Sequence, residues 1–351
     1  MIHVGMDLHH RSSVVQALSD ETGEIFASRR IHHDRIEELW QYLEQFGDQP
    51  IRVVFEAISN ARWMYRLLSQ RPNIEAVAVT PHKVRIISET VSKTDKIDAG
   101  KLAWLSSVDM LPRAWLPDER VERLRELTRH RNDLVRLQTQ CKNQVNSVLV
   151  RLGLQRPYQD IFGPQGLRWL RALELPTVMR LQVEHWLTLL DALIQRRQGM
   201  DERIRRALQA DEPWRQASAL LDTIPGVGPV TISTILAELG EWRRFRRRSE
   251  VASFAGLVPV SKRSASSQRY GHISKRGSKE LRRVLTEVAQ GVACKVPRYG
   301  RLYGRVAQQK CANVAKTAVA RRLLEDAWTL LMKQEPFRLL PVPAESLARV
   351  G

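Results

Sequence analysis

Apolar and polar residues alternate in short runs over the first hundred positions, then recur at three- and four-residue spacing along most of the remaining chain. IHVGMDL (2–8), SVVQALS (13–19) and EIFASRRI (24–31) are β-prone runs separated by turn-like residues, which predicts three strands. Asp34 is placed to cap a helix over 34–46 that carries Ile36, Leu39, Trp40 and Leu43 on one face. RVVFEA (52–57) is patterned as a buried strand, Asn60 is placed to cap a helix over 60–70, and IEAVAVT (74–80) is a further strand.

From 117 to about 152 the period becomes helical, with Val121, Leu124, Leu127, Leu134, Leu137 and Val145 spaced by three, four or multiples of these. A second such stretch, about 177 to 210, carries Leu181, Trp186, Leu189, Leu190, Leu193 and Ile194. Two long amphipathic helices suit a coiled-coil arm and a dimerisation surface, and suit an ordinary bundle within one domain equally well. After Pro213 a Gly-rich turn, IPGVG, leads into an apolar helix, then a basic stretch of loops and helices to about 332, and a tail with three prolines. The fold class expected is therefore α/β plus all-α. An N-terminal domain (1–110) with the strand-helix order of a ribonuclease-H-like fold is followed by a helical connector (111–215). A mainly helical basic domain (216–334) with a helix-hairpin-helix-like turn and a tail (335–351) complete the chain.

Charge adds what periodicity does not carry. The chain has a net charge of +18. Residues 1–110 hold 13 Lys and Arg against 15 Asp and Glu, whereas residues 241–333 hold 22 against 6. A domain that basic attracts phosphate backbones through counterion release, independently of sequence. No run of about 18 apolar residues is present, and MIHVGMDLHH is patterned as a strand and not as a signal peptide, so no membrane partner is expected. Cys141, Cys294 and Cys311 are widely spaced and form no CxxC pair, so neither a zinc knuckle nor a disulfide framework is indicated and a reducing cytoplasm fits best.

Four acids stand out by placement. Asp7 sits inside the first strand and Glu56 ends RVVFEA, positions where a charge is costly without a partner or a task. Asp95 and Asp98, in KTDKIDAGKLAWL, share one face at a helix start. Hard oxygen ligands of this kind suit magnesium, and two ions about 3.5–4 Å apart can support an in-line phosphoryl displacement. An Asp pair at a helix start is also ordinary compensation of the helix dipole, so the argument rests on the four acids arriving in this order on this strand-helix pattern.

In the basic half, Gly226 and Gly228 let backbone N–H groups approach a phosphate, with the dipole of the following helix behind them. The segment 254–285 sets Ser261, Ser264, Ser266 and Ser267 among Lys262, Arg263, Arg269, Lys275 and Arg276, ahead of a helix bearing Arg282 and Arg283. It reads as a flexible phosphate-binding loop or as a linker, and composition does not choose between them.

The motifs VGMDLH, VVFEA and KTDKIDAGKLA resemble those of the DEDD transposases of the IS110 and IS1111 insertion sequences. Their N-terminal domain is similar to the Holliday-junction resolvase RuvC. The resemblance runs to about residue 332, since GLVP, YGHISKRG and ELRR match the family's C-terminal domain. It implies that Asp7, Glu56, Asp95 and Asp98 hold Mg²⁺, two ions with Mn²⁺ able to substitute, and that Lys93 and Lys96 lie near phosphate. It further implies a serine nucleophile that becomes joined to DNA. The family's serine falls on Ser264, which Ala265 follows where the family has glycine, so Ser266 and Ser267 stand as alternatives. His272 is the one nearby candidate to activate it, the metal being the other. Implied partners are donor and target DNA, a structured non-coding (bridge) RNA that guides target choice, and further copies of the chain, as a dimer or a tetramer on DNA. The implied location is the bacterial cytoplasm, at the nucleoid. The rival readings are a junction-type endonuclease using metal-activated water, and a nucleic-acid-binding protein without catalysis.

Overall fold

The computed structural model describes residues 1–87, 95–264 and 267–338, with the backbone alone at 85–87, 95–97, 261–264 and 267–270. The chain divides into two units, Met1–Leu116 and Pro117–Gly351. The connector and the basic segment of the sequence-based division thus share the second unit.

In the first unit, β1 (Ile2–Leu8), β2 (Ser12–Ser19), β3 (Arg29–His32), β4 (Ile51–Glu56) and β5 (Ile74–Val79) form one sheet in the order β3-β2-β1-β4-β5. β1 pairs antiparallel with β2 and parallel with β4, and β4 is parallel to β5. α1 (Glu37–Glu44) and α2 (Ala61–Leu68) fill the connections, and α3 (Pro81–Ile87) and α4 (Asp95–Ser107) follow β5. This mixed sheet and its helices fit the ribonuclease-H-like expectation.

Alternation along the central strands divides two cores. Ile2, Val4, Met6 and Leu8 of β1 join Val53 and Phe55 of β4 and Leu39, Leu43, Met64 and Leu68 of α1 and α2. Val54, Val77 and Val79 face the other way, against Leu102 and Leu105 of α4. The register of β1 therefore assigns Gly5 and Asp7 to the α4 side. Two local expectations are corrected. Asp34 lies in a 3-10 turn (His33–Arg35), and α1 begins only at Glu37, without a side-chain cap. Asn60 precedes α2 but makes no cap bond to it. The third strand is also shorter than the run that predicted it, with Ile25 contributing a lone bridge to Leu18.

The second unit opens with α5 (Glu119–Arg151), capped by the Asp118 carboxylate accepting from Val121 N at 2.7 Å. α6 (Pro164–Ala172) leads to α7 (Thr177–Ala210). α5 and α7 run antiparallel: Arg120 bonds Asp211, Arg131 bonds Asp201, Gln138 bonds the Leu193 carbonyl, and Arg151 bonds Gln182. Their seam buries Leu134, Cys141, Val145 and Val148 against Val183, Leu187, Leu190 and Leu193, the three-four spacing of paired helices. α8 (Glu212–Asp222), α9 (Pro229–Leu239), α10 (Arg248–Phe254), α11 (Lys279–Lys295), α12 (Pro297–Gln309) and α13 (Ala312–Lys333) build the remainder. Among the described residues no helix is long and apolar enough to cross a membrane. Cys141, Cys294 and Cys311 are free thiols. Of the tail, 339–351 lies outside the described residues.

One expectation for this unit is overturned. The Ser- and Arg-rich segment expected as a loop contains an antiparallel hairpin, β6 (Pro259–Ser264) and β7 (Ser267–Ile273). Val260, Tyr270 and Ile273 are its strand-favouring residues, and cross-strand pairing sets the rest of the ladder despite the polar composition.

Candidate carboxylate site and basic hairpin

In the first unit Asp7 and Glu56 stand at one end of the two central strands. Met6 pairs with Phe55 in the parallel β1–β4 register, so Asp7 and Glu56 are the next positions along neighbouring strands. α4 crosses the same face in the opposite direction to β1. Ser106 Oγ lies 2.7 Å from His3 Nδ1 at the start of the strand, and Ala99 and Ala103 press on Gly5 at its middle. Continuing one turn toward the helix start brings 95–98 to the level of Asp7. Gly5 permits this approach, because any β-carbon there would overlap the Ala99 carbonyl oxygen.

Asp7 is 22% exposed and its Oδ2 stands 3.1 Å from His9 Nε2. Glu56 is half-buried at the end of β4. Asp98 accepts from Lys101 Nζ at 3.4 Å. The Asp95 side chain and Lys93 lie outside what is described, as does the Lys96 side chain. Among the described residues no three acidic, histidine or cysteine side chains already converge on one point. The donor set still fits a hard divalent ion in chemistry, since each member offers carboxylate oxygen. Sequence reasoning missed the tie between the two strand ends, where Asn60 Nδ2 donates to the His9 carbonyl at 2.7 Å. Its only signal was an Asn four residues beyond Glu56, read as a helix cap.

In the second unit the serines and cations separate by role. Ser264 ends β6, where it pairs with Ser267, and Ser266 lies outside the described residues. His272 is not beside Ser264. It is five residues past Ser267 along β7, roughly 16 Å away at strand rise, so it is no candidate to activate that hydroxyl. Lys262 pairs with Arg269 and Arg263 with Gln268 in the backbone ladder. Lys275 and Arg276 are exposed, with Lys275 at φ 53°. Arg282 instead donates to the Ala255 carbonyl at 2.9 Å, and Arg283 lies 3.1 Å from Glu287. Gly226 has φ 94° and packs on Val292 of α11, so its backbone is required by the turn itself. Gly228, the N-cap of α9, faces open space.

A deeper anchor organises this unit. Glu238 is buried at the end of α9, where Arg129 of α5 bonds both its oxygens at 2.8 and 3.1 Å and Ser278 Oγ donates at 3.0 Å. Ser278 also caps α11 by accepting from Leu281 N.

Two family models match the chain. The model of IS110-type DEDD transposases, described as Transposase, covers residues 4–153. That of the Transposase IS116/IS110/IS902 family covers residues 218–304. A probable family 20 transposase of Pseudomonas aeruginosa is 25% identical over 95% of this chain and 98% of its own length. The transposase for insertion sequence element IS1328 of Yersinia enterocolitica is 26% identical over 80% of this chain and 84% of its own. That for IS1111A of Coxiella burnetii is 25% identical over 91% and 86%. The first model spans the acids of β1, β4 and α4, and the second spans the basic hairpin and the anchor at Glu238. The chain is an enzyme of DNA transposition and belongs to the IS110 family of DEDD transposases.

Proposed function

We propose that this transposase cuts and rejoins DNA with Asp7, Glu56, Asp95 and Asp98 as the holders of divalent metal, Mg²⁺ by preference, and Ser264 as the nucleophile. The observation that supports the reading is the register: Asp7 and Glu56 are neighbouring positions on parallel central strands, and the first turn of the crossing helix lies at their level. When bound there, metal would stabilise charge on the attacking and leaving oxygens of a phosphodiester. The serine Oγ–phosphorus bond forms as one DNA P–O bond breaks, leaving a covalent protein–DNA joint whose energy is kept for rejoining. Lys262, Arg263, Arg269, Lys275 and Arg276, with the open α9 start at Gly228, would hold the backbone of the strand. The ladder supports this for the hairpin, because its register puts Lys262 and Arg269 at paired positions of one short basic element.

The antiparallel α5–α7 pair supports a further part of the reading, a coiled-coil arm through which two copies associate. Leu137, Leu181 and Leu189 are exposed on it. The choice of target by a bridge RNA rests on family resemblance, as does a nucleoid location in the cytoplasm.

The test is incubation of the full chain with labelled element-end DNA, Mg²⁺ and the RNA transcribed beside the gene. A protein–DNA adduct is expected, absent in Ser264→Ala and present in Ser261→Ala. Asp7→Asn and Glu56→Gln should bind DNA and fail to cut it. Nicks without an adduct would establish the hydrolytic reading in its place.

A further inference from the structure

Trp63 and Trp104 are the tryptophans of the first unit with large exposed faces, and of the two Trp63 is the one whose ring packs on another ring among the described residues. It lies in the first turn of α2, whose Ala61, Met64 and Leu68 are buried, yet its own side chain is 42% exposed. The buried face fixes the rotation of the helix, so the indole is held outward. Behind it stands His33, ring centroids 5.0 Å apart and planes at 54°. That ring is held in turn: Nε2 lies 2.8 Å from Ser13 Oγ and Nδ1 lies 3.2 Å from the His10 carbonyl. One side of the indole is thus braced by a group that is itself anchored, and the other meets solvent. Ile58 beside the helix start is 40% exposed.

Position ties this surface to the carboxylates. Asn60, three residues before Trp63, bonds the His9 carbonyl, and His9 touches Asp7. The indole therefore sits at the same end of the sheet as Asp7 and Glu56. The surrounding charge is mixed: Arg62 and Arg66 lie on the same helix and Arg11, whose carbonyl accepts from the His33 N–H, is exposed, while Asp7 and Glu56 stand at the same strand ends. Asp34, next to His33, is a further acid.

A braced aromatic face among arginines, beside a phosphate-processing strand end, has the makings of a nucleobase platform. Every base offers a π-face, and stacking on an aromatic side chain holds single strands without reading sequence. Bases within a duplex are already stacked, so the ligand must be unpaired. Resting on the carboxylate reading above, we infer that Trp63 stacks an unpaired base of the DNA strand whose phosphate enters the Asp7–Glu56 end, and so positions that strand.

A local readout is needed because the basic second unit also binds strands. The full chain is irradiated with single-stranded DNA carrying 5-iodouracil, in EDTA so that cleavage plays no part, and the adduct is mapped by mass spectrometry. A cross-link at Trp63 is expected. Trp63→Ala should lose it and weaken binding of a short single-stranded DNA about fivefold, while Trp63→Phe stays within twofold of the parent. No cross-link at Trp63, or unchanged binding in a folded Trp63→Ala chain, overturns the inference. Cross-linking by 5-iodouracil RNA and not by DNA overturns it also, in favour of an RNA contact. If Trp63→Ala does not fold, the parent cross-link and Trp63→Phe decide. Retained cleavage in Asp7→Asn would sink the carboxylate reading and leave this measurement standing.

Discussion

Gly5 of β1 meets Ala99 of α4 backbone to backbone, with no room for a side chain between them. The contact sets how far 95–98 can approach Asp7, so a packing detail governs the candidate site. Gly5→Ala should cost about 1–3 kcal/mol or more by overpacking, and should lower DNA cutting in the surviving folded fraction. Gly199, exposed within α7 with nothing near its Cβ direction, is the contrast. Gly199→Ala should add up to about 1 kcal/mol from helix propensity alone. Thermal unfolding of both variants checks the pair, and a neutral Gly5→Ala would remove α4 packing as the positioning device.

Much of the first unit was legible because it follows period. β1 and β4 are mainly apolar, with His3 and Arg52 near their starts and Asp7 and Glu56 near their ends, and a buried parallel strand tolerates a charge only near an end. The α5 and α7 bounds were readable for a similar reason, since long amphipathic helices repeat their signal many times. The hairpin at 259–273 was not readable: its serines and arginines mask a short ladder that cross-strand pairing creates. Nor was the partner of Asn60, because a bond between residues 51 positions apart has no local trace. The bond from Arg282 to the Ala255 carbonyl, 27 positions away, likewise has no local trace.

The anchor at Glu238 predicts an asymmetry. Glu238 is 2% exposed, while Arg129 is 52% exposed. Arg129→Ala strands a buried carboxylate with only the Ser278 hydroxyl, at an expected cost of about 2–4 kcal/mol. Glu238→Gln leaves an arginine that water can reach and an amide that still accepts from Ser278, at about 1–2 kcal/mol. Urea unfolding followed in the second unit measures both. Equal losses would mean that the pair acts by direct attraction and not by relieving a buried charge.

His3 predicts a pH dependence in the first unit. Burial holds its imidazole below the ordinary range, with Asp20 opposing and Arg52 and the N-terminal amine adding to the depression. Between the ordinary value near 6.5 and the lower folded value, the unfolded chain binds a proton that the folded chain does not. The stability is thus fully present above about 6.5 and is lost as pH falls through the folded value. His33, also depressed by burial, acts with the same sign. The midpoint of thermal unfolding should fall on acidification from pH 7 to 5, less steeply in His3→Gln, and least in the variant that also carries His33→Gln. A midpoint that rises on acidification would contradict the assignment.

Lys262 and Arg269 oppose each other in the hairpin, and this predicts opposite effects with and without DNA. Like charges at paired ladder positions do not stabilise a sheet, so Lys262→Ala should leave the stability of the second unit unchanged or raise it by a few tenths of a kcal/mol. On DNA each cation that neutralises a phosphate releases counterions, contributing about 0.9 to the slope of log affinity against log salt. Lys262→Ala and Arg269→Ala should each reduce that slope by about one and weaken binding evenly across sequences. Arg282→Ala should leave the slope nearly unchanged and destabilise the fold, because its guanidinium is spent on Ala255. Salt titrations of the three variants on two unrelated duplexes make the comparison. A slope lowered by Arg282→Ala and untouched by the hairpin variants would move the DNA contact from the strands to α11.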